Sequence, residues 1–121
     1  MKAKALIPST DKYRSRWERA FATFGKAILE QDSGSPVIAL DYEYETFNLP
    51  GGSYTPDFRA ILDDGTIIFI EVKASKFQKN YRDARSKLRA AQELNPYYVW
   101  MEARITLRGG VIINCELEVI G

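Results

Sequence analysis

The segment from Asp63 to Lys73 leaves the chain little freedom. Asp63-Asp64-Gly65 is a tight-turn signal, and Thr66 to Lys73 follows as an extended apolar run, with Ile68, Ile70 and Val72 on one side and Phe69 on the other. A strand apolar on both faces belongs in the middle of a sheet with cover above and below. The turn also requires that the preceding run, Tyr54 to Leu62, pair with it as a hairpin. Into this apolar strand the sequence inserts Glu71 and, two residues on, Lys73. Residues two apart on a strand point to the same face, so these two project together. A carboxylate in such a place is costly unless it is paired or metal-bound.

The rest of the chain supplies the cover. Tyr13, Trp17, Ala20, Phe21, Phe24, Ala27 and Ile28 recur at gaps of three and four, predicting an amphipathic helix over Lys12 to Glu30. The turn formers Gln31 to Pro36 end it. Phe77, Tyr81, Ala84, Leu88 and Ala91 predict a second helix, stopped by Asn95-Pro96. Asp41 to Phe47, Tyr97 to Arg104 and Val111 to Ile120 read as further strands, with Cys115 buried beside Ile113 and Leu117. Trp17, Phe24, Phe69 and Trp100 are expected in the core. The expected fold class is α/β: a mixed sheet flanked by helices, ordered αβββαβ, with a C-terminal strand added. All 121 residues are expected to form one domain, with residues 1–11 a basic N-terminal arm.

Composition excludes several chemistries. With no histidine, Ser-His and Cys-His nucleophile pairs and histidine-held zinc are ruled out. The single Cys115 leaves no intrachain disulfide. No apolar run is long enough to span a bilayer as a helix, and Met1 to Thr10 lacks the hydrophobic segment of a signal peptide, so a soluble cytoplasmic protein without membrane partners is expected. Net charge is +1 but unevenly spread. Glu30 to Glu71 holds nine acidic residues against Arg59 alone, between basic segments that include Arg14 and Arg16 on one side and Lys76, Lys79, Arg82, Arg85 and Arg89 on the other. An acidic centre between basic flanks suits a metal site with phosphate-binding surroundings, although solvated helix faces carry such charge as well.

Asp57, after Pro56 in the preceding strand, comes close to Glu71 and Lys73 if the hairpin pairs as expected. Two carboxylates on adjacent strands can hold Mg²⁺ through oxygen, with the Val72 carbonyl as a third ligand and Mn²⁺ as a substitute. Such a centre hydrolyses phosphodiesters, with Lys73 orienting or deprotonating a water. Glu18, beside Trp17 on the first helix, is positioned to add a carboxylate for a second metal, and Glu30 on the same helix competes for that role. The plainer reading is a strand-end ion pair of Glu71 with Lys73. Tyr54 is a candidate to stack or hydrogen-bond near the site.

Tyr54-Thr55-Pro56-Asp57-Phe58 followed by Ile70-Glu71-Val72-Lys73 resembles the PD-(D/E)XK nuclease superfamily, and within it the phage endonuclease I family of Holliday-junction resolvases. That family also carries a helical Glu upstream (Glu18 here) and a Tyr/Glu-rich strand (Tyr42 to Glu45 here). TnsA-type transposase nucleases share a similar core. The resemblance spans Arg14 to Ala103. It implies a restriction-endonuclease-like core, with Asp57, Glu71 and Glu18 as metal ligands and Lys73 as the catalytic lysine. It further implies a Mg²⁺-dependent DNA endonuclease acting on branched or duplex DNA as a homodimer, in a bacterial or phage-infected cytoplasm. The family's Gly after the lysine is Ala74 here, and the segment after Arg104 has no counterpart. Alternatives are a silent nucleic-acid-binding module on a nuclease fold, a single-strand cutter or subunit of a transposition or restriction system, and a nuclease-fold protein that acts on a protein partner.

Overall fold

The computed structural model describes residues 12–74 and 81–121. Helix α1 (Arg16–Ser33) is followed by β1 (Val37–Tyr42), a short hairpin of β2 (Phe47–Leu49) and β3 (Gly52–Tyr54), then β4 (Phe58–Leu62) and β5 (Ile67–Ala74). Helix α2 (Tyr81–Leu94), β6 (Val99–Arg108) and β7 (Val111–Ile120) complete the order. The fold is α/β. Five strands form one mixed sheet in the order β1-β4-β5-β6-β7, and β2-β3 form a second, small sheet.

Pairing is antiparallel except between β5 and β6. Parallel neighbours need a long crossover, and α2 lies within it. As its composition requires, β5 is central: Ile68 to Val72 are all buried. Phe21 and Leu29 of α1 pack with Phe58, Ile70, Met101 and Ile105 on one face. Leu88 and Ala91 of α2, with Phe47 and Tyr54 of the small hairpin, pack with Phe69 and Trp100 on the other.

Helix α1 starts where Ser15 caps it, its Oγ accepting the Glu18 N–H at 3.2 Å. It ends at Gly34, whose φ of 75° and bond to the Glu30 carbonyl form a left-handed C-cap. Trp17 and Phe24, expected in the core, are only half-buried. Phe69 and Trp100 are fully buried.

Three expectations shift. The first strand is Val37–Tyr42, not Asp41 to Phe47, because Glu43 takes a φ of 48° and turns the chain out of the sheet. The run Tyr54 to Leu62 is not one strand: Tyr54 closes the small hairpin, and β4 begins only after Pro56 and Asp57. In β7, register slips between Thr106 and Leu107, so Ile112 pairs with Leu107 while Asn114 pairs with Thr106. The extra residue reverses the in-out parity. Ile113 is therefore half-exposed rather than aligned with Cys115 and Leu117, and Cys115 itself is only partly buried.

Gly25 lies mid-helix in α1, under the Phe21 ring one turn earlier. A methyl group at Gly25 would come within 2.6 Å of Phe21 Cε2, and Phe21 is fully buried. Alanine gains roughly 1 kcal/mol of helix propensity. Overpacking costs about 1–3 kcal/mol. Gly25→Ala is therefore expected to lower Tm by about 3–6 °C in thermal denaturation, despite the better helix former. An equal or higher Tm would show that the ring can yield.

Candidate active site

β4 and β5 pair from Ile61↔Ile67 to Phe58↔Ile70 and then part. The next pair in register would set Asp57 opposite Glu71. Pro56, one residue further, has no N–H to offer a ladder. Where the strands separate, the Val72 N–H is taken by the Asp57 side chain, whose Oδ2 accepts it at 2.8 Å. The motif residues are thus drawn together by a defect in the sheet. The Asp57 carbonyl accepts the Glu43 N–H at 2.8 Å, tying the turn after β1 to the same point.

Glu71 projects toward the α2 side, on the same face as Phe69. Its Oε1 accepts the Tyr54 hydroxyl at 2.6 Å, and its Oε2 lies 3.4 Å from Lys73 Nζ. Both carboxylates are buried, Asp57 at 7% exposure and Glu71 at 8%. Burial raises the Asp57 carboxyl well above the usual range, and the nearby charges of Glu71 and Glu18 add to this, against the Val72 N–H and Lys73. Burial also raises Glu71, opposed by the Tyr54 hydroxyl and Lys73. Tyr54 is itself raised, first by burial and then by Glu71, and so stays a protonated donor.

The first turn of α1 brings Glu18 to the edge of this cluster. Glu18 Oε1 accepts from the Tyr42 hydroxyl at 2.8 Å and from the Arg14 N–H at 3.1 Å. Glu30, its rival on the helix, is at the far end, where its carboxylate accepts the Val37 N–H. A cavity of about 270 Å³ opens over Asp57 and Glu71, walled by Tyr54 and Thr55, by Arg14, and by Asp83, Ala84 and Lys87 of α2. A larger groove of about 700 Å³ lies elsewhere, between α1 and β7, and its lining holds Asp32 as its only charged group.

The basic residues separate. Arg14 reaches the cavity and is paired with Glu43. Arg16 is exposed and covers the Trp17 ring. Arg82 and Arg89 are exposed on α2. Lys76 and Lys79 lie outside the described residues. Arg85 is not on that exposed face: it turns into the sheet, binding Glu102 and Glu118 at 2.7 Å each. Glu102 is 1% exposed and also meets Arg104 at 3.0 Å. Sequence reading missed this network and the cavity-wall pair Lys87 and Asp83. A signal for the network was present: Glu102-Ala103-Arg104 repeats the acid-x-base spacing of Glu71-Val72-Lys73, and the two triplets lie in register on β6 and β5.

Among the described residues, no three Asp, Glu or Cys side chains are arranged to hold a metal ion. The expected donors, the Asp57 and Glu71 carboxylates and the Val72 carbonyl, are all oxygen. That suits Mg²⁺, which keeps several waters and takes one or two carboxylates together with substrate phosphates. Comparison with protein-family models, curated proteins and solved structures returned no match. Among the described residues no helix is long and apolar enough to cross a membrane.

The raised Asp57 carboxyl has a consequence for stability. Between the ordinary aspartate range and the raised folded value, the native protein binds more protons than the unfolded chain. Stability therefore falls as pH rises through that window. Asp57→Asn keeps an acceptor for Val72 and deletes the charge. In metal-free buffer at pH 7 it is expected to raise Tm by about 4 °C or more, from relief on the order of 1 kcal/mol. The gain should shrink as pH is lowered toward 4. A Tm below that of the parent at neutral pH would mean the carboxylate is stabilised where it stands.

Proposed function

We propose that this chain is a metal-dependent endodeoxyribonuclease of PD-(D/E)XK type, selective for branched DNA. The observation that carries this reading is the burial of Asp57 and Glu71 in one cavity with Lys73 Nζ 3.4 Å from Glu71. Asp57 serves the Val72 N–H, a task that a neutral amide oxygen would also perform, so the burial of two carboxylates goes beyond what the fold needs and is costly. A site that must gather positive charge does need them. A divalent cation bound there, Mg²⁺ or Mn²⁺, supplies charge neutralisation at the scissile phosphate and acidifies a water.

The chain's own groups have separable tasks. Asp57 and Glu71 present oxygens fixed by the Val72 N–H and the Tyr54 hydroxyl. Lys73 orients or deprotonates the attacking water and meets the phosphate. Glu18 adds carboxylate charge at the edge, and Arg14 and Lys87 on the cavity wall meet flanking phosphates. The expected products carry 5′-phosphate and 3′-hydroxyl ends.

Asp57→Ala, Glu71→Ala and Lys73→Ala should each lower Mg²⁺-dependent cleavage at least about a hundredfold, with native circular dichroism retained. Ca²⁺ should support DNA association without cleavage. Full activity in excess chelator, or parental activity of Glu71→Ala, would remove the assignment.

Each chain supplies one Asp57-Glu71-Lys73 set, whereas resolving a branch requires two cuts. Two chains about a two-fold axis would provide them. A labelled panel of duplex, single strand, fork and four-way junction should show preferential junction cutting, with light scattering giving a dimer on the junction. A monomer that cuts duplex and junction equally would reject branch selectivity.

A further inference from the structure

The turn after β1 holds a feature that phosphodiester chemistry does not use. Glu43 is the only non-glycine residue among those described with a positive φ, 48°. An L-residue pays for that conformation, and such costs collect at functional positions. The turn carries Tyr44 out of the β1 path and lays its ring on Arg59, with the guanidinium carbon 3.3 Å from the ring centre.

Arg59 cannot drift. Its Nη2 bonds Asp41 at 2.8 Å, its side chain is 16% exposed, and its Nε is buried with no hydrogen-bond partner among the described residues. A guanidinium whose carbon lies this close to the centre of an aromatic ring makes a cation–π contact. Yet Tyr44 itself is 58% exposed. With one ring face fixed on Arg59 and so much of the residue open to solvent, the arrangement is a preformed platform rather than core.

Its location gives it meaning. Arg59 follows Asp57 by two residues, on the strand that begins just after it. The Glu43 N–H bonds the Asp57 carbonyl, and Thr46 bonds Thr55, so the turn runs beside the motif. A planar group on Tyr44 would lie beside the turn that is bonded to the backbone of Asp57 and to Thr55 of the cavity wall. Tyr97, also exposed at 74%, precedes β6 at the opposite end of the sheet and makes a useful control.

We infer that Tyr44, backed by Arg59 and Asp41, is a stacking site for an unpaired nucleobase adjacent to the scissile phosphate. This rests on the nuclease reading above and sharpens it: the substrate must present a splayed or single-stranded base at the cut, as a fork or branch does and an intact duplex does not. Stacking of a base on an aromatic side chain is sequence-tolerant, so the site selects DNA structure rather than sequence.

The test is fluorescence anisotropy with a labelled fork and a labelled blunt duplex, in Ca²⁺ and again in chelator, with 2-aminopurine at the fork's first unpaired position. Tyr44→Ala should weaken fork binding about tenfold or more, leave duplex binding within about twofold, and abolish the 2-aminopurine quenching seen with the parent. Tyr44→Phe should bind as the parent does, because the ring and not the hydroxyl stacks. Tyr97→Ala should change nothing. Equal losses on fork and duplex, or unchanged fork binding by Tyr44→Ala, would overturn the platform. If the fork binds through Tyr44 but Mg²⁺ yields no cleavage, the nuclease reading fails and the platform stands. Cleavage with Tyr44→Ala binding intact gives the reverse.

Discussion

The bond from the Val72 N–H to the Asp57 carboxylate stands where a sheet hydrogen bond would otherwise be, and the arrangement of the site depends on that substitution. Antiparallel pairing of β4 with β5 stops at Phe58 and Ile70, while β5 continues for four more residues beside β6. Over that stretch β5 has lost one neighbour, and a buried N–H without a partner is costly. The Asp57 side chain supplies the missing acceptor and so becomes buried. Glu71, across from it on the same face, is buried by the same geometry. The parting of the strands therefore creates the cavity and fills it with carboxylate, with Lys73 Nζ 3.4 Å from Glu71. Pro56 is the simplest local cause, since it cannot extend β4 as a ladder donor.

The neighbouring strands show how the sheet tolerates so much charge. Glu71, Glu102 and Glu118 stand in one row across β5, β6 and β7, with Lys73, Arg104 and Glu116 two rows on. Removing one partner from a buried ion pair costs several kcal/mol, because it leaves the other charge uncompensated. Glu102 avoids that penalty with two arginines, one from its own strand and one from α2. Glu118 is held below its usual range chiefly by Arg85, then by Arg104. The same arginine fixes α2 against the sheet, and two residues on, that helix carries Lys87 on the cavity wall. At the other end of the row, Lys73 lies 3.4 Å from Glu71, Asp57 is in no ion pair among the described residues, and burial raises both carboxyls.

Much of this was legible in the chain. The turn at Asp63-Asp64-Gly65 and the apolar run after it led to the β4–β5 hairpin and the central strand, because turn chemistry and two-sided burial are local signals. The meeting of Asp57 with Glu71 and Lys73 followed from that hairpin. The strand expected over Asp41 to Phe47 departs from the structure after Tyr42, because alternation of acid and aromatic satisfies a period of two whether or not the backbone is extended. Only the φ of Glu43 tells a strand from a turn that displays Tyr44. The slip in β7 escaped for a related reason: a bulge reverses parity without changing composition. Arg85 was grouped with the exposed basic residues by charge, yet it stands three positions before Leu88 and so belongs to the buried stripe of α2. Position on the helix was the better guide than residue type.

The tyrosines of the motif region show one further consequence of burial. Tyr42 donates to Glu18 and Tyr54 to Glu71, each hydroxyl fixing one oxygen of a carboxylate at the site. Burial is the first cause that raises both phenols, so each keeps its proton across the physiological range and acts as a donor only. A donor that does not ionise holds an acid in place without adding charge to a centre already rich in it. A lysine or arginine in either place would have neutralised the carboxylate it oriented. The Tyr/Glu alternation in this part of the chain thus provides orientation without compensation, which leaves Asp57, Glu71 and Glu18 ordered and still electrostatically demanding.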